Sequence, residues 1–154
     1  LALFLTFFIM AAPFEKSYSE GIQPLMENQI DDMEGMERAA SPFKQFMLEH
    51  VREKDLSLFI GMAKYEVTEK SEIPFHIVIP SFMLSELKRA FEIGFLIFLP
   101  FLIIDLLVAS TLMAMGMMMV PPVMISLPFK LIFFVLIDGW YMLCGSLVKS
   151  YGLS

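Results

Sequence analysis

The sequence predicts an all-α protein of membrane type, in which helical hairpins accompany a small, mostly helical polar region. Hydrophobic residues make up 57% of the 154 residues, and the mean hydropathy is +0.69. Soluble domains are closer to half apolar, and here the surplus lies in continuous blocks, which indicates membrane helices. The polar remainder carries apolar residues at helical spacing, which indicates amphipathic helices.

Residues 1–14 predict the end of an apolar helix. The opening stretch "LALFLTFFIMAA" is almost entirely apolar, but it is shorter than the roughly 20 residues that cross a bilayer. It has no basic segment before it, so it does not resemble a complete signal peptide. We therefore expect a C-terminal fragment, whose first membrane helix begins before Leu1 and stops near Pro13.

Residues 15–80 predict an acidic, amphipathic helical region, which carries the whole net charge of −6. An acidic surface excludes nucleic acid as a partner, because phosphate binding needs a basic face. Ser41 followed by Pro42 predicts the start of a helix. The apolar face of that helix follows the spacing i, i+3, i+4, i+7 and i+8 and consists of Phe43, Phe46, Met47, His50 and Val51.

Shorter elements complete this polar region. Asp55 is expected to cap a helix over residues 56–65, and a weaker helix interrupted by Gly35 is expected over residues 30–40. Residues 73–80, "IPFHIVIP", are bracketed by prolines and rich in β-branched side chains, so they predict an extended segment.

Two apolar runs in the second half predict a helical hairpin. Residues 81–120 predict a long hydrophobic helix that is capped by Ser81 and kinked at Pro100. Residues 128–154 predict a second hydrophobic helix and the C-terminus. Since a turn must join them, we expect the two helices to lie antiparallel.

The turn between the two helices is rich in methionine and proline. Gly116, Pro121 and Pro122 interrupt the helical pattern, and residues 121–127 are predicted as the turn itself. The methionines before it are consecutive, namely Met117, Met118 and Met119. Consecutive side chains on a helix point about 100° apart, so a loop suits them better. Such flexible side chains either fill gaps at the turn or face a cavity lined by protein.

Three ionisable residues interrupt the apolar runs, namely Asp105, Lys130 and Asp138. Such groups are costly in a membrane unless they are paired or hydrated. We favour a structural ion pair between Asp105 and Lys130 over a proton or ion path that uses all three. A symmetric turn at Pro121 would offset the pair by about 10 Å. The pair therefore needs an asymmetric turn or a neighbouring subunit, and both stay open.

No pattern in the sequence predicts catalysis, a metal site or a cofactor. The serines have no nucleophile motif around them, and no glycine-rich phosphate loop is present. His50 and His76 lack a second ligand at helical spacing, and Cys144 is the single cysteine. We expect a protein that is not an enzyme.

Three blocks closely resemble the FliP family of flagellar protein-export gate components. These blocks are "SELKRAFEIGF" (residues 85–95), "DLLVASTLMAMGMMMVPP" (residues 105–122) and "PFKLIFFVLIDGW" (residues 128–140). The resemblance implies a homo-oligomer, a pentamer in the family, that assembles with FliQ and FliR beside FlhA and FlhB. It also implies a pore for exported flagellar proteins.

The resemblance also implies roles for particular residues and a location. Met117, Met118 and Met119 correspond to a methionine gasket around the pore, and Asp105 and Lys130 to the membrane charges of the family. The implied location is the bacterial inner membrane at the flagellar basal body, in a multi-pass arrangement.

The orientation and the function each keep alternatives. The resemblance implies that residues 15–80 lie in the periplasm, whereas the positive-inside rule would place the end of the hairpin that carries Lys88, Arg89 and Lys149 in the cytoplasm. The alternative functions are an ion- or proton-coupled transporter subunit and an acidic interaction module with a membrane anchor.

Overall fold

The computed structural model describes residues 1–66 and 69–152, and within these ranges the chain is helical and contains no strand. The predicted all-α fold is therefore confirmed. The chain forms two compact units, Leu1–Lys88 and Arg89–Gly152. We call them unit 1 and unit 2. One long helix supplies its N-terminal part to unit 1 and the remainder to unit 2.

Unit 1 is a cluster of short helices. Its elements are α1 (Ala2–Ile9), α2 (Ala11–Ser17), a π-helical turn (Tyr18–Ile22), α3 (Gln23–Met26), α4 (Asp32–His50), α5 (Glu53–Ala63), a 3₁₀ turn (Lys70–Glu72) and the first part of α6 (Phe75–Ala114). Unit 2 contains the rest of α6 and two further helices, α7 (Pro122–Leu136) and α8 (Gly139–Ser150).

The helices of the first half pack through small residues. The Ser17 hydroxyl donates a hydrogen bond to the carbonyl oxygen of Ala39 at 2.7 Å, and Gly21 lies directly against the same residue. A Cβ atom placed on Gly21 would come within 2.4 Å of the Ala39 backbone nitrogen. The π-helical turn and α4 therefore approach each other more closely than any larger side chain allows.

Gly21→Ala is expected to destabilise the protein by roughly 2–3 kcal/mol, because the added methyl group meets backbone that cannot rotate away. The matched control is Gly61→Ala, which lies in α5 with open space around its Cβ position. That change should stabilise by about 0.5–1 kcal/mol through helix propensity. Thermal unfolding followed by circular dichroism in detergent measures both, and equal melting temperatures for the two variants would contradict this packing.

The hydrophobic core of unit 1 joins α5 to the start of α6. Its buried members are Val51, Leu56, Ile73, Ile77 and Val78, with Met47, Leu48, Phe59 and Ile60 packed against them. Burial of these aliphatic side chains holds residues 73–80 in place, although two prolines interrupt that segment.

This packing overturns the prediction that residues 73–80 are extended. The carbonyl oxygen of Pro74 accepts hydrogen bonds from Ile77 and Val78, so α6 begins at Phe75 and passes through Pro80. Ser81 was predicted to cap the helix, but it lies inside it, and its hydroxyl donates to the Ile77 carbonyl at 2.6 Å. Tertiary burial here outweighs the local preference that proline imposes.

Two further predicted boundaries in unit 1 were wrong. Ser41 and Pro42 do not start a helix, because α4 begins at Asp32 and contains Pro42 in its interior. The acidic residues Asp32 and Glu34 occupy the first turn, where the positive end of the helix dipole favours them. The first apolar helix breaks at Met10 rather than at Pro13, which lies within α2.

Unit 2 differs from the predicted hairpin in its second arm. Helix α6 has 40 residues, about 60 Å at 1.5 Å per residue, and continues through Pro100 to Ala114 rather than to residue 120. The second arm was predicted as one helix over residues 128–154, but it consists of α7 and α8, bent by 59°. The loop between the arms covers residues 115–121, not 121–127.

Helix α6 is long and apolar enough to cross a membrane. Its length exceeds the hydrocarbon core of about 30 Å. Helices α7 and α8 are long and apolar enough to cross a membrane only when the bent pair is taken as one span.

The 59° bend is built from Asp138 and Gly139. Asp138 adopts a left-handed conformation with φ of +52° and occupies the N-cap position of α8, without a hydrogen bond from its side chain. Gly139 is buried, and a Cβ atom there would lie 2.3 Å from the ring of Phe134. The predicted straight second helix fails because both residues favour a break.

Candidate functional site

The charged centre of unit 2 lies between α6 and α7. The ammonium group of Lys130 donates to one carboxylate oxygen of Asp105 at 2.6 Å, and the hydroxyl of Ser126 donates to the other at 2.5 Å. Ser126 is fully buried, and the two charged side chains are 28% (Asp105) and 21% (Lys130) exposed. Both oxygens of the carboxylate are thus satisfied within the chain, which offsets the cost of removing it from water.

Asp105 and Lys130 can pair because the loop between α6 and α7 begins before Pro121, closer to the N-terminus than the sequence predicted. Asp105 is nine residues before Ala114, where α6 ends, and Lys130 is eight residues after Pro122, where α7 begins. The two residues are therefore nearly equidistant from the loop. The 10 Å offset expected for a turn at Pro121 does not arise, and the ion pair lies within one chain.

Ser126 is a member of this charged centre that sequence reasoning missed. It lies four residues before Lys130 on α7, so the two side chains share one face of that helix. A search for polar residues one turn from each membrane charge would have found it.

Asp138 does not join the ion pair. It lies at the α7–α8 break, is exposed, and its side chain has no hydrogen bond or ion pair with any residue in the described part of the chain. The break is about 12 Å along α7 from Lys130. The structure thus brings together two of the three predicted membrane charges.

The methionine loop, residues 115–121, joins α6 to α7. Gly116 adopts φ of +73°, and the amide of Met117 donates to the carbonyl oxygen of Leu112 at 2.9 Å, which closes the end of α6. Pro121 is extended, and Pro122 is the first residue of α7. Both ends of the loop are therefore fixed by residues suited to those positions.

The three consecutive methionines of the loop, Met117, Met118 and Met119, are exposed. Met117 is 49% exposed, Met118 is 81% exposed and Met119 is 98% exposed. They lie outside both flanking helices, as the sequence predicted. A turn that used methionine to fill gaps in its own core would bury them, so their exposure favours contact with another surface.

A second polar cluster lies in unit 1 and was not predicted. Asp55 was expected to cap α5, but that helix begins at Glu53, and Asp55 is buried inside its first turn. The guanidinium of Arg52 binds both carboxylate oxygens of Asp55 at 2.8 and 2.9 Å. The Ser85 hydroxyl lies 2.7 Å from the same carboxylate, which ties α6 to α5. The hydrogen bond from Ser85, together with Arg52, lowers the pKa of Asp55.

Because the pKa of Asp55 is lowered, the stability of unit 1 should vary with pH in the acid range. The contribution of Asp55 is fully present above the unfolded pKa near 3.8, and it is lost as the pH falls through the lower folded pKa. The difference in free energy of unfolding between the native chain and Asp55→Asn should therefore shrink between pH 6 and pH 3. The exposed Glu53→Gln is the control and should show little change. Chemical denaturation at both pH values measures this, and a difference that stays constant would contradict it.

The ionisable residues in the described part of the chain form no cluster suited to a metal ion. Within residues 1–66 and 69–152, no group of three or more His, Cys, Asp or Glu side chains could hold a metal ion. His50 lies 2.8 Å from the carbonyl oxygen of Phe46 through Nδ1, a contact within its own helix.

A long apolar helix, a bent apolar arm and an ion pair between them define a helical protein of the membrane type. The chain belongs to the FliP family, whose model matches residues 1–147. It is 59% identical over 152 residues to the flagellar biosynthetic protein FliP of Caulobacter vibrioides and 56% identical over 152 residues to that of Bacillus subtilis. Each match covers 98% of this chain.

The matched relatives are longer than this chain. The chain spans 57% of the Caulobacter vibrioides protein, 63% of the Agrobacterium fabrum protein and 69% of the Bacillus subtilis protein. All three relatives bear the name flagellar biosynthetic protein FliP.

Proposed function

We propose that this chain forms the core of a subunit of the flagellar type III protein export gate. In this proposal, several copies surround a pore through which unfolded flagellar proteins cross the inner membrane, and the methionine loop is the gasket. The proposal rests mainly on the exposed methionine loop. This loop lies at the end of a hairpin whose two arms are joined by an ion pair. Membership of the FliP family supplies the flagellar context.

The exposure of the methionine loop supports an oligomer. Met118 and Met119 are 81% and 98% exposed, and irregular backbone at membrane depth persists only where protein or a water-filled cavity surrounds it. Copies arranged around an axis would cover the loops of their neighbours. Methionine has a flexible, polarisable side chain, so a ring of such loops could close around a narrow axis and yield to a passing polypeptide.

The ion pair serves this proposal as a structural support. It joins α6 and α7 within about 14 Å of the loop, so it limits how far the two ends of the loop can separate. Asp138 has no part in it, which disfavours a relay that would need all three charges. An ion- or proton-coupled transporter subunit is the second candidate, and it rests on the partly exposed Asp105 and Lys130.

The proposed assembly follows the family. The partners are further copies of the chain, FliQ, FliR, FlhA and FlhB, and the substrates are exported flagellar proteins. The location is the bacterial inner membrane in a multi-pass arrangement, with residues 15–80 in the periplasm. The proposed role is a conduit and involves no catalytic residue, metal or cofactor.

Export in living cells tests this function. The Caulobacter vibrioides relative would have its matching segment replaced by this chain, which shares 59% identity with it over 152 residues. The chimera is expected to restore secretion of flagellar proteins and motility to a strain that lacks the resident gene. A chimera that assembles in the membrane and secretes no flagellar protein would contradict the proposal.

A further inference from the structure

A pair of antiparallel helical segments lies near the start of unit 1. Gly21 of the π-helical turn lies against Ala39 of α4, and Leu25 of α3 lies against Gly35 of α4. The contact moves forward along one segment as it moves back along the other, so the two segments run in opposite directions. Both glycines are buried, so the contact itself is closed to solvent.

An exposed apolar face lies beside this contact. Ile22 and Met26 each follow a contact residue by one position, and Met36 does so on α4. One position turns a side chain by about 100° in the same sense on both segments, so in an antiparallel pair these side chains emerge on the same side. Met33 lies three positions before Met36 and shares its side of α4. We call Ile22, Met26, Met33 and Met36 the unit 1 face, and they are between 40% and 75% exposed.

The chain that builds the unit 1 face is acidic. Residues 17–37 contain six Asp or Glu residues and no Lys, Arg or His. Asp32 lies four positions before Met36, and Glu37 lies four positions after Met33, so both carboxylates are on α4 beside the face and both are exposed. An anionic membrane surface or the same face of a second copy would bring like charges together. The charge therefore favours a cationic partner.

We propose that the unit 1 face docks a basic amphipathic helix of a partner protein. Apolar side chains on one side of that helix cover the face, and its Lys or Arg side chains meet Asp32 and Glu37. Exposed apolar patches with polar residues around them mark interaction sites, and a helix laid on such a patch is a common way of binding. Methionine suits this role because its flexible side chain adapts to the surface it meets. The inference does not depend on the proposed gate.

A defined peptide tests the unit 1 face on the full chain. The chain is reconstituted in phosphatidylcholine nanodiscs, and empty nanodiscs give the background. The probe is a fluorescent peptide of leucine and lysine, about 18 residues or five helical turns long, with its leucines on one side. Fluorescence anisotropy is expected to show binding that weakens as salt is added. The same peptide with glutamate in place of lysine should bind about tenfold more weakly.

Variants of the face separate this site from general adhesion of the peptide. Met36→Ser should weaken binding about fivefold, because it removes apolar area from the contact. Asp32→Asn combined with Glu37→Gln should weaken binding about tenfold and remove most of its salt dependence. The matched controls are Met62→Ser, at a 70% exposed position in α5, and Glu66→Gln, and both should leave binding unchanged.

The proposal is rejected if the lysine and glutamate peptides bind equally, or if the controls weaken binding as much as the variants of the face. A photoreactive amino acid at Ile22 of the chimera tests the other occupants in cells. Cross-links to a protein segment with apolar residues and Lys or Arg at helical spacing support the proposal. Cross-links to lipid, to the unit 1 face of a second copy or to an exported protein would reject it, whether or not the chimera secretes.

Discussion

Asp105→Leu is expected to cost about 3–5 kcal/mol of stability, because it leaves the ammonium group of Lys130 without its counter-charge inside an apolar hairpin. Lys130→Met should cost a similar amount for the converse reason. The double variant should recover most of the loss, since two apolar side chains can pack where two charges were paired. Unfolding in detergent gives the coupling energy of this double-mutant cycle.

The control for this cycle is Asp138→Asn. Asn tolerates the left-handed conformation that Asp138 adopts, so the change removes a membrane charge with little strain. It should change stability by less than about 0.5 kcal/mol. A double variant whose loss equals the sum of the two single losses, with no recovery, would contradict the structural pair.

The same variants distinguish a proton or ion path from a structural ion pair between Asp105 and Lys130. A double variant that assembles and exports flagellar proteins normally would make a proton or ion relay untenable. A double variant that assembles with full stability and exports nothing would favour the transporter subunit instead. Ser126→Ala is a milder change than either charge substitution, because it removes one hydrogen bond to Asp105 and keeps the charges paired.

Removing the side chains of Met117, Met118 and Met119 is expected to make the membrane leak. Changing Met117, Met118 and Met119 together to glycine keeps the length of the loop and removes the atoms proposed to close the pore. Because nothing else in the proposal seals the axis, small solutes and ions should then cross cells that carry the variant. Uptake of a small impermeant dye and membrane conductance measure the leak.

Matched methionines in unit 1 provide the control for the leak. Met26, Met33 and Met36 are 71%, 75% and 66% exposed, so they are comparable in exposure to the loop. Glycine at these three positions would disturb the helices that contain them, so all three are changed to serine instead. No leak is expected from this variant. If the loop variant assembles and leaks no more than the native chain, the gasket role is rejected.

The element types of the second half were predictable, while their boundaries were not. Long apolar runs that end at glycine and paired prolines leave few options other than two helical arms and a loop. The bend at Asp138 was missed because its cause is a close approach of Gly139 to the Phe134 ring, a contact that no periodic pattern contains.

In unit 1 the errors concern helix boundaries. The sequence rules for Ser41, Pro42 and Ser81 describe isolated helix ends, but all three residues lie inside helices. For Ser81 the reason is burial of Ile77 and Val78, which stabilises α6 before it. Predicting that needs knowledge of which distant side chains meet, such as Asp55 and Ser85.

The candidate site was predicted in its residue types and only partly in its geometry. Two opposite charges in an apolar hairpin suggested a pair, and the structure joins them within one chain at 2.6 Å. The register depended on where the turn begins, and Gly116 places that point five residues before Pro121.

Cross-linking to a protein caught in transit tests the central claim most directly. A photoreactive amino acid would replace Met118 in one chimera and Met26 in another, and an exported flagellar protein fused to a tightly folded domain would stall in the gate. The proposal predicts cross-links from position 118 to the stalled protein, and none from position 26. A stalled protein that does not cross-link to position 118, or that cross-links equally to both positions, would contradict a pore closed by the methionine loop.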